Sequence, residues 1–240
     1  MIVKRPPMGW NSWNTFGENI NEKVVLETAD YIVDNGFKDL GYEYVIIDDC
    51  WSLRERNEKG EIVPDPEKFP HGMKYVADYI HSKGLKFGMY SCAGSLTCAR
   101  YPGSYDHEFT DAKCFAEWGV DYLKYDFCFH PYATFGHILY KRMSLALANS
   151  GRDIVFAACS WGAENTKTWI KETGAHTWRS TGDVFDSWES IKTLATEQMQ
   201  VLEYNGNGCF NDMEMLLVGM NREGNVGLPG GTRDETRPPF

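Results

Sequence analysis

The chain reads as an α/β protein built on a (β/α)8 barrel of the TIM type, truncated before its last strand. Three observations predict this. Short apolar runs alternate with stretches of helical period, the pattern of repeated βαβ units. The connections are short, with no linker, low-complexity tract or block of like charge. Polar residues gather where the strand-like runs stop, and in a barrel those places meet on one face. A doubly wound sheet is the main rival, but no glycine-rich phosphate loop follows the first strand. The 240 residues suit one barrel, which spans roughly 200–250 residues. The expectation is a single catalytic barrel domain over residues 1–240, with about seven strand–helix units.

The elements follow in order. Residues 8–11 form a short first strand. Val25, Ala29 and Ile32 share one face of a helix over 22–35, with Gly36 at its C-cap. Tyr44–Ile47 is a buried-strand run that ends in Asp48-Asp49. After a proline-containing loop, Met73, Val76, Ala77 and Ile80 mark a helix that stops at Gly84. Strands are expected at Leu85–Tyr90 and Val120–Tyr125, with a helix over 108–118 between them. Leu139, Met143, Ala146 and Leu147 line the next helix, ended by Gly151. Ile154–Ala158 is a strand, 165–173 a short helix, and His176–Arg179 a weak strand. Ser187 N-caps a helix that turns Ile191, Leu194, Ala195 and Leu202 inward, before a last strand at 208–211.

Composition narrows the function. Thirteen Phe, thirteen Tyr and eight Trp exclude a disordered chain. A net charge of −10 argues against nucleic acid or an anionic membrane surface as a partner. No run of about 18 apolar residues occurs, and no signal-peptide run follows Met-Ile-Val-Lys-Arg-Pro-Pro. The expectation is a cytoplasmic chain, with secretion as the alternative. The seven cysteines are odd in number and form no CxxC pair, so neither a zinc site nor a complete disulfide framework is expected.

The chemistry sits at the strand ends. Two carboxylates on different strands suit glycoside cleavage, one as nucleophile and one as acid/base. Asp126 is the nucleophile candidate. Lys124, two residues earlier, shares its side of the strand, and a nearby ammonium keeps a carboxylate ionised. The alternative is a structural ion pair of Lys124 with Asp121 or Asp126. Asp183, in the loop Arg179-Ser-Thr-Gly-Asp183, is the acid/base candidate, its proton held by flanking acids. Asp48 and Asp49 either chelate two sugar hydroxyls or hold a divalent cation. Trp13, Trp51 and Trp161 lie beside strand ends, where an indole packs on the C–H face of a pyranose, or fills the core. Ser160 has no G-x-S-x-G elbow, and the six His form no HExxH, so Ser-His-Asp and zinc hydrolysis are not expected. No cofactor and no metal are expected.

These residues are similar to glycoside hydrolase family 27, the α-galactosidases (melibiases) and α-N-acetylgalactosaminidases. The resemblance is carried by Met8-Gly-Trp-Asn-Ser-Trp13, Tyr42-Glu-Tyr-Val-Ile-Ile-Asp-Asp-Cys-Trp51, Phe69-Pro-His-Gly-Met73, His81-Ser-Lys-Gly-Leu-Lys86 and Trp118-Gly-Val-Asp-Tyr-Leu-Lys-Tyr-Asp126. It continues through Met143-Ser-Leu-Ala-Leu147, Asp183-Val-Phe-Asp-Ser-Trp188 and Asn211-Asp212. It implies a retaining exo-hydrolase of α-galactosides, with Asp126 as nucleophile and Asp183 as acid/base. It gives Asp48 and Asp49 the 6- and 4-hydroxyls, and makes Trp13, Tyr90, Cys98, Lys124 and Arg179 further sugar contacts. It pairs Cys98 with Cys128. Glu214 stands where the family often has a shorter acid, and Cys92 where it often has Asp. The family's β-sandwich domain is not expected in this chain. Ser160 and Ala163 resemble the small pair that admits a 2-acetamido group, so α-N-acetylgalactosaminidase is the alternative activity. A non-catalytic sugar-binding relic is the alternative outside enzymes.

Overall fold

The computed structural model describes residues 3–206, 208–213, 215 and 216. Among them, seven strands form one parallel sheet in chain order. They are β1 (Gly9–Asn11), β2 (Tyr44–Ile46), β3 (Lys86–Cys92), β4 (Tyr122–Asp126), β5 (Val155–Cys159), β6 (Thr177–Arg179) and β7 (Phe210–Asp212). The helices are α1 (Trp13–Phe16), α2 (Glu22–Asp34), α3 (Gly72–Ser82), α4 (Glu108–Trp118), α5 (Gly136–Ala148), α6 (Ile170–Thr173) and α7 (Trp188–Met199). Each strand pairs in parallel with the one before it, which is the wall of a (β/α)8 barrel.

Period-two alternation gives the sheet two buried faces, and each has its own apolar cluster. Tyr44, Ile46, Tyr122, Val155 and Ala157 pack together on the inner face. The intervening Val45, Leu123, Phe156 and Trp178 pack outward with Val25, Val76, Phe115 and Met143 of the helices. The inner face of β4 therefore reads Tyr122, Lys124, Asp126. An apolar floor gives way to charge as the strand rises.

The helices form where period and caps agree. The Asn21 side chain accepts the Val24 N–H at the start of α2, which buries Val25, Ala29 and Ile32. Helix α3 buries Met73, Val76, Ala77 and Ile80, the predicted face. Two expectations are corrected. The helix expected over 165–173 is a 3-10 turn at Ala163–Thr168 followed by α6, because Glu164 and Asn165 adopt left-handed φ of 52° and 57°. Ser187 caps α7 as expected, accepting the Ser190 N–H, but no residue of α7 is buried. Leu202 belongs to a separate turn, Leu202–Tyr204. Periodicity marks the apolar face of a helix without supplying the surface that would cover it.

Gly9 faces Tyr44 across the β1–β2 ladder. A Cβ at Gly9 would stand 2.3 Å from the Tyr44 carbonyl oxygen and 2.6 Å from its Cβ. Gly9→Ala therefore forces the strands apart. The expected cost is about 1–3 kcal/mol, which lowers Tm by roughly 2–4 °C per kcal/mol. A thermal melt measures it, and an unchanged Tm would mean that β1 shifts without penalty.

Candidate active site

Register stacks the candidate residues in two rungs across the inner face. Tyr90, Lys124 and Ala157 are level, and Cys92, Asp126 and Cys159 form the next rung. Arg179 and Asp212 are level on the neighbouring pair. Asp48 and Asp49 follow β2 after one residue, Ile47, and Trp13 opens α1 after β1.

Lys124 Nζ lies 2.7 Å from Asp48 Oδ2, and both side chains are almost wholly buried. Among the described residues the ion pair is therefore made with Asp48, not with Asp121 or Asp126. Asp121 instead meets His81 Nε2 and Arg152 Nη2 on the outer wall. The same Asp48 oxygen accepts a hydrogen bond from Asn11 Nδ2 at 2.7 Å. Asn11 Oδ1 accepts the Trp13 backbone N–H. Ser12 Oγ accepts the Asp48 N–H, and Asp48 Oδ1 accepts the Asp49 N–H. Lys124 Nζ also lies 3.5 Å from Met215 Sδ. One ammonium thus joins β4 to the ends of β1 and β2 and to the segment after β7.

Asp49 is buried, and its oxygens accept the Cys50 and Ala99 N–H groups. Burial pushes its carboxyl above the usual range, opposed by the Ala99 amide, the Thr97 hydroxyl and the Cys50 amide. The Ala99 contact fastens the loop after β3. The disulfide Cys98–Cys128 then joins that loop to the one after β4. Among the described residues, Cys98, Cys128 and Asp126 make the one cluster with metal-ligand spacing. Its two sulfurs are already bonded to each other.

Asp126 is 6% exposed. Its Oδ2 accepts the Tyr90 hydroxyl at 3.0 Å and its Oδ1 the Phe127 N–H at 2.9 Å. Burial raises its pKa to about 6, more than the Lys124 ammonium and the Phe127 amide lower it, while Asp48 adds to the rise. The expected ionising effect of Lys124 is present but outweighed. Burial and the Asp126 charge push the Tyr90 phenol well above 10, so it remains a donor.

Arg179 Nη1 reaches Asp183 Oδ1 at 2.7 Å and Cys159 Sγ at 3.3 Å. The Arg179 side chain is 2% exposed and that of Asp183 44%. Asp183 therefore stands at the solvent side of the cleft, with the Arg179 cation on one of its oxygens. Ser160 is wholly buried, and its hydroxyl bonds Thr166 Oγ1 at 2.7 Å. Ala163 is half-buried beside it. Glu214 lies outside the described residues. The structure thus brings Trp13, Asp48, Asp49, Tyr90, Lys124, Asp126, Cys98, Arg179 and Asp183 to one end of the sheet. A second concavity, lined by Ser144, Arg152, Asp153 and His176 among others, holds none of them.

Sequence reasoning missed Asn11 and Met215 as partners of the ion pair. Asn11 had a signal: it alternates with Trp10 and so shares the inner face with the strand ends.

A family profile described as alpha galactosidase A matches residues 5–229. An α-galactosidase of Cyamopsis tetragonoloba is 51% identical over 219 residues, covering 91% of this chain and 53% of its own. The solved α-galactosidase I of Mortierella vinacea has a TM-score of 0.85 at 38% identity, covering 91% of this chain and 62% of its own. An α-galactosidase of Saccharomyces cerevisiae solved with raffinose has a TM-score of 0.82 at 40% identity, covering 87% of this chain and 51% of its own. The chain spans about half the length of the curated relatives it matches.

The Asp126 environment makes a stability prediction. Its folded pKa of about 6 exceeds the value near 3.9 of an unfolded Asp. Between those values the folded state holds the extra proton, so this group's contribution falls as pH rises and stays unfavourable above about 6. Asp126→Asn removes the buried charge. Its Tm is expected above that of the wild type at about pH 7–8, with the excess fading toward pH 4. Melts of both proteins across pH decide it; an Asn variant less stable at neutral pH would show that the carboxylate is well solvated.

Proposed function

The chain belongs to the α-galactosidase A (melibiase) family, glycoside hydrolase family 27, and from that premise we propose that this cleft removes terminal α-linked D-galactose with retention of configuration. The observation that carries the reading is the contrast between two aspartates at one mouth. Asp126 is buried and fixed by Tyr90 and Phe127, whereas Asp183 is solvent-facing on Arg179.

Galactose lies against the inner face. Its 4- and 6-hydroxyls donate to Asp49 and Asp48, whose charges are balanced by Lys124 and fixed by the Ala99 amide. Trp13 offers its ring to a C–H face of the sugar. Asp126 attacks the anomeric carbon with a carboxylate lone pair as the glycosidic C–O bond breaks. Asp183 gives its proton to the departing oxygen; Arg179 holds Oδ1, which leaves Oδ2 to carry that proton. In the second step Asp183 takes a proton from water. The water oxygen attacks the same carbon, releases Asp126, and restores the original configuration. Raffinose, the sugar in the yeast relative's structure, is a suitable oligosaccharide substrate.

The galactose reading is favoured over N-acetylgalactosamine by Ser160. It is wholly buried, and its hydroxyl is engaged by Thr166, which itself donates to the Ala163 carbonyl, so the group offers no surface to an acetamide.

Incubation with p-nitrophenyl α-galactoside and its 2-acetamido analogue tests the reading, and no release of nitrophenol from either would sink it. Because Asp126 must be ionised to attack, kcat/KM is expected to fall as pH drops through about 6. Asp126→Asn should lose turnover by several orders of magnitude, since the amide is not a nucleophile. Asp183→Ala should slow formation of the covalent intermediate far more on raffinose than on the activated aryl substrate, which needs no proton. Equal losses on both would remove Asp183 from the acid role.

A further inference from the structure

The rim above Asp126 carries a cation–aromatic pair that these steps do not use. The Arg100 guanidinium lies 4.8 Å from the ring centre of Phe129. Both residues are exposed, Phe129 by 45%. Arg100 follows Cys98 by two residues, and Phe129 is next to Cys128. The Cys98–Cys128 disulfide therefore joins the two turns at their base. Ligand atoms of Cys98, Cys128 and Asp126 all lie within 4.8 Å of one another. The two turns that carry the pair are thus joined beside Asp126.

The backbone holds this pair at a cost. Arg100 and Phe129 have φ of 65° and 45°, the left-handed region that side chains other than glycine's disfavour. The Arg100 N–H donates to the Thr97 carbonyl at 2.9 Å, and the Ser95 N–H to the Phe129 carbonyl at 3.3 Å. Gly94 presses against the second turn so closely that a Cβ there would stand 1.9 Å from the Cys128 carbonyl oxygen. Among the described residues, the Arg100 guanidinium has no carboxylate within ion-pair distance. A fixed, exposed ring beside a cation suits a sugar. The ring face turned away from Arg100 takes the C–H face of a pyranose, and the guanidinium donates to its hydroxyls.

We propose that Arg100 and Phe129 form the leaving-group subsite, which holds the sugar unit to which galactose is attached. This rests on the galactosidase reading: with galactose seated against Asp126, whatever is bonded to its anomeric carbon must extend to the rim. The occupant is a neutral sugar rather than a lipid, because one ring flanked by a cation offers hydrogen-bond donors and little apolar area.

The test compares raffinose with α-D-galactosyl fluoride, whose leaving group is a single atom. In Phe129→Ala and Arg100→Met, the ratio of kcat/KM for raffinose to that for the fluoride is expected to fall about tenfold or more, the scale of one lost pocket contact. A ratio equal to that of the wild type in both variants overturns the subsite. So does an equal loss on both substrates, which marks a structural role. Fluoride hydrolysis also reports whether each variant is folded, and Phe129→Leu replaces Phe129→Ala if the latter fails. A wild-type protein that cleaves neither substrate removes the galactosidase reading and the subsite together. Cleavage of the fluoride with an unchanged ratio removes the subsite alone.

Discussion

The buried pair of Lys124 and Asp48 is the contact on which the cleft depends. An ammonium and a carboxylate that both leave water lose several kcal/mol of solvation each, and their attraction compensates only if the remaining donors and acceptors are used. Here they are. Asp48 takes Lys124, Asn11 and the Asp49 amide, and its own amide meets Ser12. The pair spans from β4 to β2, and Asn11 extends it to β1 and the start of α1. Removing either partner would leave a lone charge in the wall, a loss of about 3–5 kcal/mol in comparable buried pairs. A substitution at Lys124 therefore touches the positions of Asp48 and Trp13 and the charge of Asp126 together.

That network sets the conflict at Asp126. A carboxylate in an apolar surround prefers its neutral form, and Asp126 sits on a floor of Tyr122, Val155 and Ala157. The Lys124 ammonium would favour ionisation more strongly if it were not already engaged by Asp48. The result is a carboxylate that is charged above about pH 6 but less stabilised by its surroundings than water would make it. The burial that makes such a group destabilising also suits it to the nucleophilic role proposed for it, and active sites are costly to a fold in this way. The phenol of Tyr90 limits the cost by donating to the carboxylate.

Much of this was legible in the sequence because the sheet is parallel and buried on both sides. Each strand reads as an apolar run, and the first polar residue after it marks the open end of the barrel, so the sequence alone places Asp48, Asp126 and Arg179 there. Partner identity was not legible. Lys124 has Asp121 and Asp126 close in sequence, yet it meets Asp48, 76 positions away, because inter-strand register rather than chain proximity decides which side chains meet. The Arg179 contact of Asp183 is hidden in the sequence for a related reason. Its acidic neighbours in sequence say nothing of the arginine side chain that folds back from the strand end. The exposed face of α7 was illegible in another sense: amphipathic period is a property of one segment, whereas burial is a property of two.

The loops add what the sheet cannot. A barrel wall fixes its inner residues through ladder hydrogen bonds, which leaves little room to adapt a site to one substrate. The turns above it carry the unusual backbone: Cys50, Arg100, Phe129, Trp161, Glu164 and Asn165 all have positive φ. These turns are tied to one another rather than hanging in solvent. Ala99 holds Asp49, Cys98 holds Cys128, and the Gly136 amide binds Glu164 across the next gap. At Gly162 a Cβ would stand 2.3 Å from the Ser180 carbonyl oxygen, so the turn after β5 lies directly on the loop that carries Asp183. Strained conformations persist only where their neighbours over-determine them. The strain collected at this end of the barrel therefore belongs with the mutual bracing of its loops, and that bracing holds the wall that carries Asp126 and the loop that carries Asp183 in one fixed relation.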